Sequence, residues 1–295
     1  MKAVVSQAND ATESVEIPRP TPDAGEVLLK VQAATINPVD VHVRSLLKTF
    51  GLEQGQPVGL GWDVVGEIVE VGPGVSLEVG SRVAAVQSDG VAKSSGTLAE
   101  YAVLPAEVVA EVPVSLDSIA AATLPMNSLT AAQGLDLLGE AAGRKLLITG
   151  AAGAVGGFAL VLARRLGFKV TGLARASDAD FVRSTGASFS AALTEGEFDA
   201  VFDAASLGSA VFVALRDGGA YSGVQPGNVP TAERGIGVQA VQVVGDGPRL
   251  AEFLRLAESG EFELRVAGSF GFEQAAEVAN RLSRGGQRGR WVLVP

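Results

Sequence analysis

The stretch Lys145-Leu146-Leu147-Ile148-Thr149-Gly150-Ala151-Ala152-Gly153-Ala154-Val155-Gly156-Gly157 decides how this chain is read. Leu146–Thr149 has the length and composition of a short buried strand, and Phe158–Leu166 those of an apolar helix, with glycines in the turn that joins them. Residues without a Cβ at 150, 153 and 156 let backbone N–H groups approach a pyrophosphate, and the start of the helix supplies partial positive charge for it. The spacing is G-x-x-G-x-x-G, a variant of the dinucleotide-binding spelling G-x-G-x-x-G. The expected cradle is Gly150, Ala152, Gly153, Ala154, Val155 and Gly156. Because the turn begins in mid-chain, a different structure is expected ahead of it.

Downstream, strand and helix alternate. Helix 155–166 leads to strand 169–174, a helix near 178–185, strand 199–203, helix 208–216, strands 219–224 and 238–244, and helix 248–259. Upstream of the turn, Ser118–Leu138 reads as mainly helical despite Pro125. Alternation of this kind predicts a doubly wound parallel sheet with helices on both faces. Residues 1–112 have another rhythm, with closely spaced strands Glu26–Ile36, Trp62–Val71, Arg82–Val86, Leu98–Leu104 and Val108–Val112. Turns such as Pro18–Pro22 and Gly72-Pro73-Gly74 separate them, which suggests a partly closed antiparallel barrel. The tail offers a helix, Phe272–Leu282, and a strand, Arg290–Val294, that return to the first half. The predicted fold class is α/β, with a barrel-like domain over 1–113 and 266–295 and a dinucleotide-binding domain over 114–265.

Composition narrows the function. The 295 residues carry a net charge of −10, which argues against a nucleic-acid surface. There is no cysteine, so disulfides, thiolate catalysis and cysteine-ligated zinc are excluded, and the single histidine, His42, excludes a His-rich metal site. The N-terminus lacks the pattern of a signal peptide. Leu146–Ala163 is uncharged over a length that suits a membrane span, but its glycines divide it into strand, turn and helix. A cytoplasmic protein with neither membrane nor nucleic-acid partners is expected.

Several motifs occur in a fixed order: Asn37-Pro38-Val39-Asp40, then Gly61-Trp62-Asp63-Val64-Val65-Gly66 continuing to Val71-Gly72, then Gly96-Thr97-Leu98-Ala99-Glu100-Tyr101. Leu124-Pro125 with Thr130-Ala131 follows, then the glycine turn. Together they resemble the medium-chain dehydrogenase/reductase superfamily, and within it the zinc-free quinone oxidoreductase (zeta-crystallin-like) branch. The resemblance implies a GroES-like substrate domain with an inserted Rossmann domain. It also implies hydride transfer from NADPH, in the cleft between them, to a small-molecule quinone or α,β-unsaturated carbonyl. Zinc-dependent relatives carry a cysteine ligand and a G-H-E motif; here Gly61-Trp62-Asp63 stands at that position. A homodimer is implied as well, with Val238–Val244 as the candidate edge segment.

Individual residues follow from these two lines. Arg175 closes the second strand, where an acidic residue would suit a ribose hydroxyl; an arginine instead fits the 2′-phosphate of NADPH, the alternative being a solvated arginine. The loop carrying Val224 and Gln225 follows a sheet strand and is expected along the nicotinamide, or is a plain surface loop. The resemblance places Thr130 near the nicotinamide ribose, with a core hydroxyl as the alternative, and Arg290 near the cofactor. His42 stands where relatives of this branch often have tyrosine, in a run that ends at Arg44, and is a candidate proton donor or a half-exposed bystander. Asn37 is the better candidate for an orienting hydrogen bond, with Asp40 structural. Phe50, Leu52 and Trp62 suit an apolar substrate wall or the core.

Three rivals remain. An enoyl-thioester reductase shares fold and cofactor, and a non-catalytic NADPH-binding redox sensor would bind without turnover. A short-chain dehydrogenase would need a Y-x-x-x-K pair, but Tyr101 is followed by Pro105 and Tyr221 by Gln225 at that spacing.

Overall fold

The computed structural model describes residues 1–7, 11–43, 57–87 and 96–295. In chain order the strands are β1 (Lys2–Ser6), β2 (Thr12–Glu16), β3 (Glu26–Thr35), β4 (Val58–Gly59), β5 (Asp63–Val71), β6 (Arg82–Val86), β7 (Tyr101–Pro105), β8 (Ala110–Glu111), β9 (Lys145–Thr149), β10 (Lys169–Leu173), β11 (Ser188–Ser190), β12 (Phe198–Asp203), β13 (Leu215–Gly223), β14 (Gly237–Ala240), β15 (Val266–Gly271) and β16 (Arg290–Val294). The α-helices are α1 (Pro38–Val41), α2 (Ser118–Ala122), α3 (Pro125–Asp136), α4 (Ala154–Arg165), α5 (Ala179–Ser184), α6 (Gly247–Glu258) and α7 (Ala275–Arg284). The chain forms two compact units, Met1–Met126 with Val244–Pro295, and Asn127–Val243.

In the first unit β3 is the central strand. It pairs antiparallel with β5, β7 and β16, and Val27, Leu28 and Leu29 are fully buried. Its last residue, Thr35, stands opposite Asp63 of β5 and Val292 of β16. The sequence-predicted return of the tail is therefore made by Val292 and Leu293 beside Thr35 and Ala34. A smaller sheet, β2-β1-β4, completes the unit.

The second unit holds a six-stranded sheet in the order β11-β10-β9-β12-β13-β14, every pairing parallel. From β9 the chain winds outward in one direction, then returns and winds in the other. The switch point lies at the carboxyl ends of β9 and β12, where open α/β sheets bind ligands.

Several boundaries differ from those read in the sequence. Helix 118–138 is broken: Asp117 caps α2 by accepting from the N–H groups of Ile119 and Ala120, and Pro125, which has no N–H, starts α3 instead. Residues 208–214 form a 3-10 helix and β13 begins already at Leu215, while the 238–244 strand is confined to Gly237–Ala240. The division between units falls at Met126 and Val244, inside the segment 114–265. The physical reason is packing: α2 lies against β3 and β5, and α6 against β6 and β8, all in the first unit.

Candidate functional site

At the end of β9 the glycine turn runs into α4 with Gly153 at its N-cap. Gly150 has φ +55°, a left-handed value, and its carbonyl accepts from Gly153 N–H at 2.7 Å. Ala151 N–H donates to Leu173 O at 3.1 Å, which ties the turn to the end of β10. The N–H groups of Ala154, Val155 and Gly156 belong to the first turn of a helix and have no intrahelical acceptor. Gly153, Ala154 and Val155 are partly exposed, and Ala152 and Gly156 are buried. The structure thus brings residues 150–156 together at the switch point. Arg175, two residues beyond β10, is exposed, and its side chain has no hydrogen bond or ion pair among the described residues. Asp178 occupies the N-cap of α5 but makes no side-chain cap bond.

Beneath the turn lies a buried carboxylate that sequence reading did not single out. Asp203, at the end of β12, is fully buried and accepts from Thr149 Oγ1 at 2.5 Å, Gly208 N–H at 2.8 Å and Tyr221 Oη at 3.0 Å. Thr149 Oγ1 in turn accepts from Ala205 N–H at 3.0 Å. Burial, with the charge and hydrogen bond of Asp203, raises the Tyr221 phenol above its usual range, so it stays a neutral donor. A readable signal existed: an acid that closes the apolar strand Phe198–Asp203 must find donors there. Beside this network a shallow pocket is lined by Tyr221, Gly223, Val224, Gln225 and Asn228. It brings both predicted loop residues to the carboxyl end of the sheet. Thr130 lies on α3, almost fully buried.

The first unit carries a second buried acid cluster. α1 is a single turn begun by Asn37, with Pro38 at its first position. It buries Asn37 and Asp40 and leaves His42 exposed at its C-cap. Asp40 accepts from Asn37 N–H at 2.8 Å and Gly61 N–H at 2.6 Å. Asp63, fully buried, accepts from Thr35 Oγ1 at 2.5 Å, from Asn37 Nδ2 at 2.6 Å and from Met126 N–H. Arg290 is partly exposed as a residue, but its guanidinium is enclosed beside both carboxylates. Burial lowers it to about 10, against the opposing pull of Asp63 and Asp40. The structure therefore gives Arg290 two internal carboxylate neighbours, which the resemblance alone did not indicate. Trp62 is buried in the core of this unit, while Arg44, Phe50 and Leu52 lie outside the described residues.

Burial pushes the Asp40 carboxyl up from 3.8 to about 7; the charge of Asp63 adds to this, while the two N–H bonds and Arg290 oppose it. Asp63 is raised too, by burial above all. An acid that holds its proton more tightly when folded stabilises the fold at low pH and loses that contribution as pH rises through its folded value. Between pH 6 and 8 Asp40 alone is expected to remove about 1.4 kcal/mol. Denaturation midpoints measured across that range should fall, and Asp40→Asn should flatten the dependence. An equal slope in the variant would refute the assignment.

Among the described residues no group of three or more His, Cys, Asp or Glu is placed to hold a metal ion, and no helix is long and apolar enough to cross a membrane.

Comparison with known proteins matches residues 23–114 to the alcohol dehydrogenase GroES-like domain and residues 176–293 to the family described as zinc-binding dehydrogenase. A chloroplast envelope quinone oxidoreductase homolog of Arabidopsis thaliana is 38% identical over 59% of this chain and 54% of its own length, so the match spans about half of that relative. The chloroplastic NADPH-dependent alkenal/one oxidoreductase of the same plant is 30% identical over 92% of this chain and 72% of its own length. The crystal structure of an alcohol dehydrogenase superfamily protein from Novosphingobium aromaticivorans superposes with TM-score 0.83 and 28% identity, covering 100% of this chain and 99% of that one. The order of motifs, the matched families and the fold agree: the chain belongs to the medium-chain dehydrogenase/reductase superfamily, in its quinone oxidoreductase branch.

Proposed function

We propose that this protein is an NADPH-dependent reductase of quinones or α,β-unsaturated carbonyls. The observation that carries the reading is a glycine-rich turn at the switch point, tied to the end of β10, with an exposed arginine two residues beyond that strand whose side chain has no partner among the described residues. The turn fits a nicotinamide dinucleotide: a Cβ at Gly153 would already press on the Gly150 carbonyl at 3.0 Å, so the cradle has room for backbone only. The first-turn N–H groups of Ala154, Val155 and Gly156 at the α4 N-terminus suit a pyrophosphate. When bound, the cofactor supplies hydride to the electrophilic carbon of the acceptor. Names of relatives support the acceptor class, since they include a quinone oxidoreductase homolog and an alkenal/one oxidoreductase.

The chain's own residues hold and orient. Ala154, Val155 and Gly156 N–H groups would meet the pyrophosphate, and Val224 and Gln225 would flank the ring at the carboxyl end of β13. His42, the one histidine of the chain, is exposed at the end of α1 and is taken as the candidate proton donor, with solvent water able to share that task. We place the contact of a homodimer on β14, the outer strand of its sheet.

Cofactor choice is assigned to Arg175. Arg175→Ala is expected to weaken NADPH by about 1.5–3 kcal/mol, the loss typical of hydrogen bonds to a charged group, and to leave NADH nearly unchanged. Titrations of both cofactors by fluorescence check this, and equal losses for the two would refute it. The reading as a whole is tested by NADPH oxidation against a panel of quinones, enones and a 2-enoyl thioester, with NADH alongside. Binding of NADPH without turnover on any of them would leave a redox sensor as the better description.

A further inference from the structure

Part of the second unit's sheet carries polar side chains where a parallel sheet is ordinarily apolar. Lys145 of β9 stands beside Lys169 of β10, and Thr171, two residues further on, stands beside Ser188 of β11. Alternate residues of a strand share a face, so all of these project from one side of the sheet. α4 and α5 cover the opposite side: a Cβ at Gly172, next to Thr171 and so pointing the other way, would meet Leu160 and Val182. On the polar side the chain crosses from β11 past β10 and β9 to β12 in residues 191–197, which form no helix. Parallel strands are usually joined by a dozen or more residues that include one. Leu193 of this short crossover packs on the apolar cluster around Leu147, and the amino ends of the strands are left open.

The opening is a cavity of about 340 Å³, large enough for a small molecule, with Lys145, Arg164, Lys169, Thr171, Ser188 and Glu197 in its wall. Three cations share it with one carboxylate, in a chain whose net charge is −10. Lys145 Nζ lies 3.5 Å from Glu197 Oε1. Lys169 Nζ and the hydroxyls of Thr171 and Ser188 have no partner among the described residues. Arg164 is already placed: its Nη1 donates to the Thr185 carbonyl, and a Cβ at Gly186 would stand 2.5 Å from its guanidinium carbon, so the glycine makes the room it occupies.

We propose that this cavity binds a doubly charged phosphate group, free or as a monoester. Two ammonium groups, a guanidinium and two hydroxyls offer more donors than the two oxygens of a carboxylate can use, whereas a phosphate group presents three strong acceptor oxygens. Its charge near −2 at neutral pH balances the excess of cations over Glu197. The site is distinct from the cofactor turn. It lies at the amino ends of β9 and β10, while the turn follows the carboxyl end of β9, about 13 Å further along the strand. The proposal does not depend on the reductase reading.

Calorimetric titration of the full chain with inorganic phosphate, glycerol phosphate and succinate, with and without NADPH, tests it. Saturable binding of at least one phosphate probe is expected with a Kd of ~1 mM or tighter, and NADPH should change it by less than ~2-fold. The tighter of the two phosphate probes identifies the natural form, free or esterified. Phosphate displaced by NADPH would be sitting in the cofactor turn, and succinate bound as tightly as phosphate would remove the phosphate assignment; either overturns the proposal. Lys169→Glu should weaken binding at least ~10-fold and Thr171→Val ~3–10-fold, while Glu197→Gln, which releases Lys145 and removes a repulsive charge, should tighten it ~2–5-fold. The gain in Glu197→Gln separates a ligand site from a patch of solvated lysines. Wild-type affinity in both Lys169→Glu and Thr171→Val, or no saturable heat up to ~10 mM phosphate, overturns the proposal. Phosphate binding that obeys these variants in a protein with no affinity for NADPH keeps the site and overturns the reductase reading.

Discussion

Gly156→Ala is expected to abolish dinucleotide binding in the accessible range, and Gly156→Val to do so with a clear loss of stability. A Cβ at 156 would lie 2.2 Å from the Gly150 carbonyl oxygen, 2.8 Å from its carbon and 2.9 Å from the Ala151 Cα. These are backbone atoms, so no flexible side chain can swing aside. The turn cannot easily retreat either, since Gly150 already accepts from Gly153 N–H and Ala151 is bonded to Leu173. Relieving the contact requires the turn or the start of α4 to move by about an ångström, a displacement that costs on the order of 10²-fold at a site built on placement. Overpacking of a tight core adds about 1–3 kcal/mol of destabilisation. NADPH fluorescence titration and urea denaturation read the two effects separately. Gly227→Ala, where an added Cβ meets nothing within 4 Å, serves as the control and should stay within about 0.5 kcal/mol of wild type. Wild-type NADPH affinity in Gly156→Ala would remove the turn from cofactor binding.

The turn was legible because its signal is local. Strand, glycines and helix lie within Lys145–Arg165, and the structure moves the predicted helix of 155–166 by one residue at each end. Residues 208–216 were misread for an equally local reason: Val211, Phe212, Ala214 and Leu215 mimic an apolar helical face, yet the 3-10 segment ends at Ala214 and Leu215 already belongs to β13. The strands β1, β2 and β15 escaped notice, and their short or exposed runs derive their order from partners elsewhere in the chain. The least legible features were the acids. Asp63 was visible within Gly61-Trp62-Asp63, but its grip on Asn37 spans 26 residues and its bond to Met126 spans 63. Spacing along a sequence cannot show which carboxylate fixes which amide. Arg290 is the same case: the motif position suggested a cofactor contact, while the fold reveals two carboxylates that share its charge.

Asp203→Ala is expected to be the most destabilising single change in the second unit, by about 3–5 kcal/mol. Its carboxylate takes donors from the ends of β9 and β13 and from the start of the 3-10 segment, all away from solvent. Thr149 and Tyr221 hydroxyls can rotate in search of other acceptors, but the Gly208 N–H is fixed by the backbone, and the truncation leaves a void where the carboxylate stood. Asp203→Asn should cost less, because an amide oxygen on the Oδ2 side still accepts from Gly208 and Tyr221 while its NH2 must be taken by Thr149 Oγ1. Tyr221→Phe should cost only about 1 kcal/mol, the ordinary worth of one hydrogen bond. Urea denaturation of the three variants should therefore rank them alanine, asparagine, then the tyrosine change. Thr149 precedes Gly150 and also accepts from Ala205 N–H, so the same carboxylate fixes the entry to the cofactor turn. NADPH affinity should consequently fall in Asp203→Asn under conditions where the variant remains fully folded. An Asp203→Ala protein within about 1 kcal/mol of wild type would mean that other acceptors satisfy these donors, and the network would lose its place beneath the site.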